Sequence, residues 1–304
     1  MYRRTTAVMG TIVRIEVIGQ ESDPPGLDRD DAVERAFGWF HYVEASCSRF
    51  DEQSEVMRLV ATPPGVEVPV SPLLFELVQF ALAVATETGG AFDPTVGHRM
   101  ESLGFNRNYR SGKTIDSSIE PDGQVSYRDV RVDADRKTIT LLRPLILDFG
   151  GVAKGLAIDM AARELQPFEH FAIDAGGDLY LAGHNAEGLP WSIGIRHPRL
   201  EDGLIDSVKV SNRAVCTSGD YERRSDREDQ AHHILDPRTG LSADAAASVT
   251  VIAPAAMLAD SLATAAFVLG PAEGIALLER HGVDGLILSP TLERFATRGL
   301  PTSL

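Results

Sequence analysis

FAIDAG (171–176), DLYLAG (178–183), WSIGIR (191–196), SVKVSN (207–212), AVCTSG (214–219) and SVTVIA (248–253) succeed one another along the chain. Each is short, rich in Val, Ile, Thr or aromatic residues, and close to Gly, Asn, Ser or Pro. The stretch from Phe171 to Val251 therefore reads mostly as strands. Helical patterns do not alternate strictly with these strands. That argues against a chain of βαβ units and for an α+β domain, a mixed β-sheet core flanked by helices.

Working outward, VRVD-ADRK-TITLL (130–142) reads as a hairpin. Leu145 to Leu147 reads as a short strand entering DFGGVAKG, with a helix from there to Leu165. Apolar residues at helical spacing (Val33, Phe37, Phe40, Val43) predict an amphipathic helix from Asp28 to Ser48. Ser71-Pro72 is a helix start, and that helix stops at Gly89-Gly90. Thr11 to Ile18 alternates apolar and polar residues, as a strand does. On the other side, Pro254 opens a helix ending near Gly270, and Pro271 opens another ending near Gly282. GLILS (285–289) and ERFAT (293–297) close the chain as a strand pair. There is no repeat and no long linker, so residues 1–304 are expected to form one domain. The charged stretch Tyr221 to Gln230 reads as a solvated loop.

The 304 residues are 43% hydrophobic, which supports a real core and excludes disorder. The formal net charge of −15 excludes a fold-wide basic face, hence nucleic acid as a partner. An uninterrupted apolar run of about 20 residues is missing, so no membrane insertion is expected. The N-terminal MYRRTTAVMGTIVRIEVIG has neither an apolar segment of signal length nor a nearby lipid-attachment cysteine, which makes a cytoplasmic location the expectation. Cys47 and Cys216 lie far apart and read as two buried free thiols. Only four of the 29 basic residues are lysines, so a Lys in an unusual setting is informative.

Four segments could carry chemistry. In DFGGVAKG, Asp148 ends a predicted strand, two glycines allow close backbone approach, and Lys154 stands at a helix start. A helix N-terminus with a Lys suits an anion such as a phosphate, although a plain glycine turn with a surface Lys explains the same residues. In LADSLATA, Asp260 and Thr264 are four apart and share a helix face. Their oxygens are hard donors that suit Mg²⁺; a helix-capping Asp is the ordinary alternative. HHILDPRTG (232–240) offers His232 or His233 as a general base or substrate ligand, or else a β-turn with solvated histidines. GGAFDPTVG (89–97) sets Phe92 beside Asp93, able to meet a flat ring and its polar edge, or serving as a helix cap and turn.

These fragments in this order resemble the FAD:protein FMN transferase (ApbE) family. The likeness runs nearly end to end. It includes MGT (9–11), SRFDEQSEV (48–56), GGAFDPTVG, LDFGGVAKGLAID (147–159), IDAGGDLYLAG (173–183), TSGDYER (217–223), HHILDPRTG and SVTVIAPAAMLADSLATAAFVLG (248–270). The resemblance implies a two-lobed domain with the flavin site between lobes. It implies an enzyme that takes FAD as substrate and Mg²⁺ as cofactor, moves FMN to a Thr or Ser hydroxyl of an acceptor protein, and releases AMP. Some members hydrolyse FAD to FMN and AMP, and that pyrophosphatase activity is the alternative here. A non-catalytic flavin-binding protein is a third reading, opposed by the intact Asp260, Thr264, Lys154 and His233.

Carried over by position, the resemblance implies metal ligands from Asp260, Thr264 and the carbonyl of Gly151, where the family often has Ala. It implies FAD contacts from Met9, Phe50, Ala91, Phe92, Asp93, Asp148, Lys154 and Ile234. Phe50 stands where Tyr is common, which keeps ring stacking and loses a hydroxyl. His233 is the candidate catalytic base, with His232 and Asp93 as further possibilities.

Overall fold

The computed structural model describes residues 1–19, 28–121, 123–225 and 231–300. Strands β1 (Tyr2–Val8) and β2 (Thr11–Val17) form a hairpin whose turn residues, Met9 and Gly10, have φ of 54° and 72°. Positive φ at both central positions matches the twist of paired strands. It costs a non-glycine residue such as Met9 on the order of 1–2 kcal/mol. Helix α1 (Arg29–Cys47) begins where the Asp28 carboxylate accepts the Asp30 N–H at 2.8 Å, and it buries Val33, Phe37, Phe40 and Val43. Ser54 caps α2 (Glu55–Val60), and Ser71 caps α3 (Pro72–Glu87), with β3 (Glu67–Pro69) between them. The short α4 (Gly97–Ser102) follows, and then the hairpin of β4 (Val130–Asp133) and β5 (Thr138–Leu141), which β3 joins.

Leu145 to Leu147 departs from expectation. These residues are fully buried, but they form no strand. Their backbone bonds go to the nearby loop: the Gly97 N–H donates to the Ile146 carbonyl at 3.2 Å and the Asp148 N–H to the Pro94 carbonyl at 2.8 Å. Apolar content predicted the burial correctly; no ladder partner is available to make the segment a strand.

Next come α5 (Ala153–Glu164), β6 (Phe171–Ala175), β7 (Asp178–Ala182), β8 (Trp191–Arg196), β9 (Leu204–Val210) and β10 (Arg213–Gly219). The pair β11 (Leu235–Asp236) and β12 (Leu241–Ser242) precedes β13 (Ser248–Ala253), α6 (Ala256–Arg280), β14 (Asp284–Leu288) and β15 (Arg294–Ala296). Each strand expected between Phe171 and Val251 is present. The break expected at Gly270-Pro271 is there too: Gly270, at φ 76°, interrupts α6.

Eight strands make the main sheet, in the order β1-β2-β6-β7-β10-β13-β14-β15. The α+β class holds, but the sheet is not mixed. Each of its pairings among the described residues is antiparallel. Tight turns explain much of this, because Met9-Gly10 joins β1 to β2 and Gly176-Gly177 joins β6 to β7. A two-residue connection makes antiparallel neighbours, whereas parallel ones need a long crossover. One layer of helices covers the sheet: α6 lies on β10, β13 and β14, and α5 packs between α1 and α6. By length and composition α6 is apolar enough to cross a membrane. Here it is a core helix, with Ala259, Leu262, Ala263, Ala266 and Phe267 buried. Cys47 and Cys216 are buried and unpaired, and burial holds both thiols protonated. The loop expected from Tyr221 to Gln230 is described to Ser225, and residues 226–230 lie outside the described part.

Candidate active site

The N-termini of α5 and α6 cap each other. Neither N-cap residue, Val152 or Ala255, offers a side-chain bond. Instead Asp159 of α5 accepts the Ala256 and Met257 N–H groups at 2.7 and 2.9 Å, and Asp260 of α6 accepts the Gly155 N–H at 3.3 Å. Each helix thus supplies the carboxylate that the other's exposed N–H groups and positive dipole end favour. Gly155 permits the approach: a Cβ there would stand 2.5 Å from the Ala256 carbonyl oxygen and the Met257 Cα. The capping role weighed for Asp260 is therefore real, and it sets that carboxylate at a helix junction.

Lys154 sits in the same junction. Its ammonium bonds to Asp178, the first residue of β7, and lies 3.6 Å from Asp260. Both carboxylates are 5% exposed. Burial opposes the charge on Lys154, but Asp178 and Asp260 outweigh it and hold the amine above its ordinary value. Burial and then Asp178 push the Asp260 carboxyl up to about 6, with Lys154 and the Gly155 N–H pulling the other way. Asp178 also accepts the Thr217 N–H at 3.2 Å, which ties the cluster to β10.

One turn along α6, the Thr264 hydroxyl is 3.3 Å from Ser218 Oγ. A Cβ built on Gly151 would lie 2.8 Å from Thr264 Oγ1 and 3.4 Å from the Phe92 ring. Gly151, Thr264 and Phe92 therefore meet, with Asp260 on the same helix face as Thr264. The donor set is a carboxylate, a hydroxyl and a carbonyl, all hard oxygens, and it fits Mg²⁺. Among the described residues no group of three or more His, Cys, Asp or Glu side chains is placed to hold a metal ion, so any ion here would rely on the hydroxyl and backbone oxygens beside Asp260.

Asp148 and Phe50 are held by a residue that sequence reasoning missed. Arg49, almost wholly buried, donates from Nε to Asp148 Oδ2 at 2.5 Å and from Nη2 to the Phe105 carbonyl. Its guanidinium lies 4.1 Å over the Phe50 ring. Burial works against the Asp148 charge, but Arg49, the Gly150 N–H and Arg223 prevail and hold the carboxyl below the usual range. Asn108 donates to the Phe50 carbonyl at 3.0 Å. The same loop reaches Met9, because Glu44 accepts both the Met9 N–H at 3.0 Å and the Tyr109 hydroxyl at 2.7 Å.

Ala91, Phe92 and Asp93 are buried. Asp93 Oδ1 accepts the Thr95 N–H and hydroxyl, and Oδ2 accepts the Tyr127 N–H at 2.9 Å. Burial raises its pKa. These engaged oxygens make Asp93 an organiser of the Phe92 loop rather than an open base.

The two histidines differ. His232 Nε2 bonds to the Ala243 carbonyl at 2.8 Å, its Nδ1 accepts the Ile234 N–H at 3.3 Å, and its ring meets Phe267 edge-on. Both ring nitrogens are engaged, and Ile234 is buried behind them. His233 is half-buried, and its Nδ1 is enclosed without a hydrogen-bond partner. Burial, then Arg223 and His232, lowers its pKa to about 3, so the ring is neutral. Its backbone N–H donates to the Arg223 carbonyl at 3.2 Å. The structure thus gathers Gly151, Lys154, Asp260, Thr264 and Phe92 at one junction. Asp148 lies beside it, accepting the Gly150 N–H at 2.7 Å, and His233 follows His232, whose ring meets Phe267 of α6. Phe50 joins Asp148 through Arg49, and Met9 is tied to the loop at 108–110 through Glu44.

The sequence profile of the ApbE family matches residues 9–287. A Treponema pallidum protein named FAD:protein FMN transferase is 32% identical over 98% of this chain and 87% of its own length. Among solved structures, the ApbE protein of Thermotoga maritima superposes with a TM-score of 0.85 at 32% identity, covering 98% of this chain and 97% of that one. The flavin transferase ApbE of Vibrio cholerae gives 0.83 at 26% identity, with the same coverage.

Proposed function

This chain belongs to the ApbE family, and we propose that it transfers the FMN half of FAD to a Thr or Ser hydroxyl of an acceptor protein, releasing AMP and requiring Mg²⁺. The observation that carries this reading is the meeting of Asp260, Thr264 and Gly151 where α5 and α6 cap each other. Gly151 lies against the Thr264 hydroxyl there, and Asp260 is one turn back on the same helix face, in an acidic chain that must receive a diphosphate. Asp260, Thr264 and the Gly151 carbonyl would hold the ion. When bound, it offsets diphosphate charge and the charge developing on the AMP leaving group.

The acceptor oxygen forms a bond to the phosphorus that carries riboflavin, and the bond from that phosphorus to the bridging oxygen breaks. His233 takes the hydroxyl proton. Its ring is neutral at physiological pH, as a base must be. Negative charge arriving beside Arg223 offsets part of what depresses its basicity. Lys154 keeps Asp178 and Asp260 from repelling each other before the metal is in place. Phe50, backed on one face by Arg49, offers a ring for stacking on the flavin.

The test is incubation with FAD, Mg²⁺ and a candidate acceptor, followed by AMP release and intact-protein mass. The expected result is AMP in step with an FMN mass added to the acceptor, abolished by a chelator and by Asp260→Ala. FMN appearing free at the same rate without acceptor would make water the acceptor instead. Turnover that survives the chelator would refute the metal assignment.

A further inference from the structure

FAD brings two phosphate charges to a chain of net charge −15. The cations around the junction are largely matched already. Lys154 is bound by Asp178 and faces Asp260; Arg49 is bound by Asp148. Arg223 is different. Its side chain is exposed, and it makes no ion pair among the described residues. The acidic neighbours among the described residues of its own segment are taken: Asp220 pairs with Arg199 through two bonds of 2.6 and 2.7 Å, and Glu222 lies 3.5 Å from Arg196.

The backbone around Arg223 is pinned to the site. The His233 N–H donates to its carbonyl at 3.2 Å, Arg224 bridges to His232, and the Ser225 hydroxyl donates to the Leu103 carbonyl at 2.9 Å. Three groups on three different segments feel its charge: Asp148 after the Leu145–Leu147 run, Lys154 on α5, and His233 before β11. The segment that carries Arg223 leaves the junction directly, since just before it the Thr217 N–H bonds to Asp178 at 3.2 Å and the Ser218 hydroxyl lies 3.3 Å from Thr264. On the residue bonded to the Arg223 carbonyl, His233 Nδ1 is enclosed and unpartnered.

We propose that Arg223 is a substrate-binding residue that grips the diphosphate of FAD, donating from its guanidinium to phosphate oxygens. The planar fork suits phosphate, and an unpaired Arg loses no existing ion pair when it binds one. This rests on the FAD reading above and adds a contact to it.

The experiment compares FAD, ADP and riboflavin binding to the wild-type protein, Arg223→Met and Arg223→Lys, by calorimetry and flavin fluorescence at two salt concentrations, with melting curves as a control. For Arg223→Met, FAD and ADP should bind about tenfold or more weakly, the size of one charge-assisted hydrogen bond. Riboflavin, which has no phosphate, should bind as in the wild type. Arg223→Lys should recover part of the loss, and the salt dependence of FAD binding should flatten in Arg223→Met. Wild-type FAD affinity in Arg223→Met would overturn the assignment, and so would an equal loss for riboflavin. Either result leaves FMN transfer standing. A wild-type protein that binds no FAD would overturn the functional reading itself.

Discussion

Replacing Lys154 by Met is the sharpest perturbation of the junction. It keeps the length and apolar stem of the side chain but removes the cation between Asp178 and Asp260, whose side chains are 6% and 7% exposed. Taking one partner from a buried ion pair costs about 3–5 kcal/mol, because the remaining charge is left uncompensated. At about 2 °C or more per kcal/mol for a chain of this size, the melting temperature should fall by at least about 6 °C.

The loss should depend on pH in a definite direction. Asp260 already titrates near 6, above its unfolded value of 3.8, because burial and Asp178 raise it. The folded state therefore holds a proton that the unfolded state releases. The stabilisation this gives is present at low pH and disappears as pH rises through about 6. Without Lys154 the carboxyl moves higher still, so the deficit should be smaller at pH 5 than at pH 8. Mg²⁺ should raise the melting temperature of the variant more than that of the wild type, since it restores positive charge to the same place. Adding Asp178→Asn should recover part of the loss. The assay is thermal unfolding by circular dichroism at both pH values, with and without Mg²⁺. A variant that melts within 2 °C of wild type at pH 8, with no pH trend, would refute the buried-triad account.

The reciprocal caps make Asp159→Ala costly, since it strands the Ala256 and Met257 N–H groups at about 1–3 kcal/mol each when buried; chemical denaturation should read the loss, and Mg²⁺ affinity should fall with it. Gly155→Ala would force α5 and α6 apart, because its Cβ would stand 2.5 Å from backbone atoms of α6. Overpacking of this kind costs about 1–3 kcal/mol, and an unchanged unfolding midpoint would count against the helix contact. His233→Ala should keep FAD affinity while slowing transfer by about 10²–10⁴-fold, the range of general base catalysis. Because folded His233 titrates near 3 and an unfolded His near 6.5, the wild type should lose stability as pH falls below about 6.5. His233→Ala should lose less over the same range, measured by melting at pH 7.5 and pH 5.

Much of the fold was legible because its signals are local. Asp28, Ser54 and Ser71 each bond an N–H two or three residues away, and the cap expected at Ser71 starts its helix as read. The alternating strands from Phe171 onward and the Gly270-Pro271 break were likewise readable. Asp260 and Thr264 could be read onto one face because they stand four residues apart on what is a helix, α6. Leu145 to Leu147 misled because apolar content reports burial and says nothing about a ladder partner. Asp178, Arg49 and Arg223 were missed, although a signal existed for the first. A rare lysine at the start of a buried helix needs a carboxylate, and DLYLAG begins with an aspartate.

By itself the sequence determined the local pieces: which segments turn, cap and alternate, and that an acidic chain must gather positive charge to receive a phosphate. Tertiary structure alone decided how the charges pair. Lys154 and Asp178 are 24 residues apart, and Arg49 and Asp148 are 99 apart. It also decided which of two adjacent histidines has both nitrogens engaged and which keeps one free. The physical reason is range. Backbone hydrogen bonding and side-chain periodicity act within a few residues, whereas burial and electrostatic pairing depend on distance through space, which exists only once α5, α6 and the sheet have packed together.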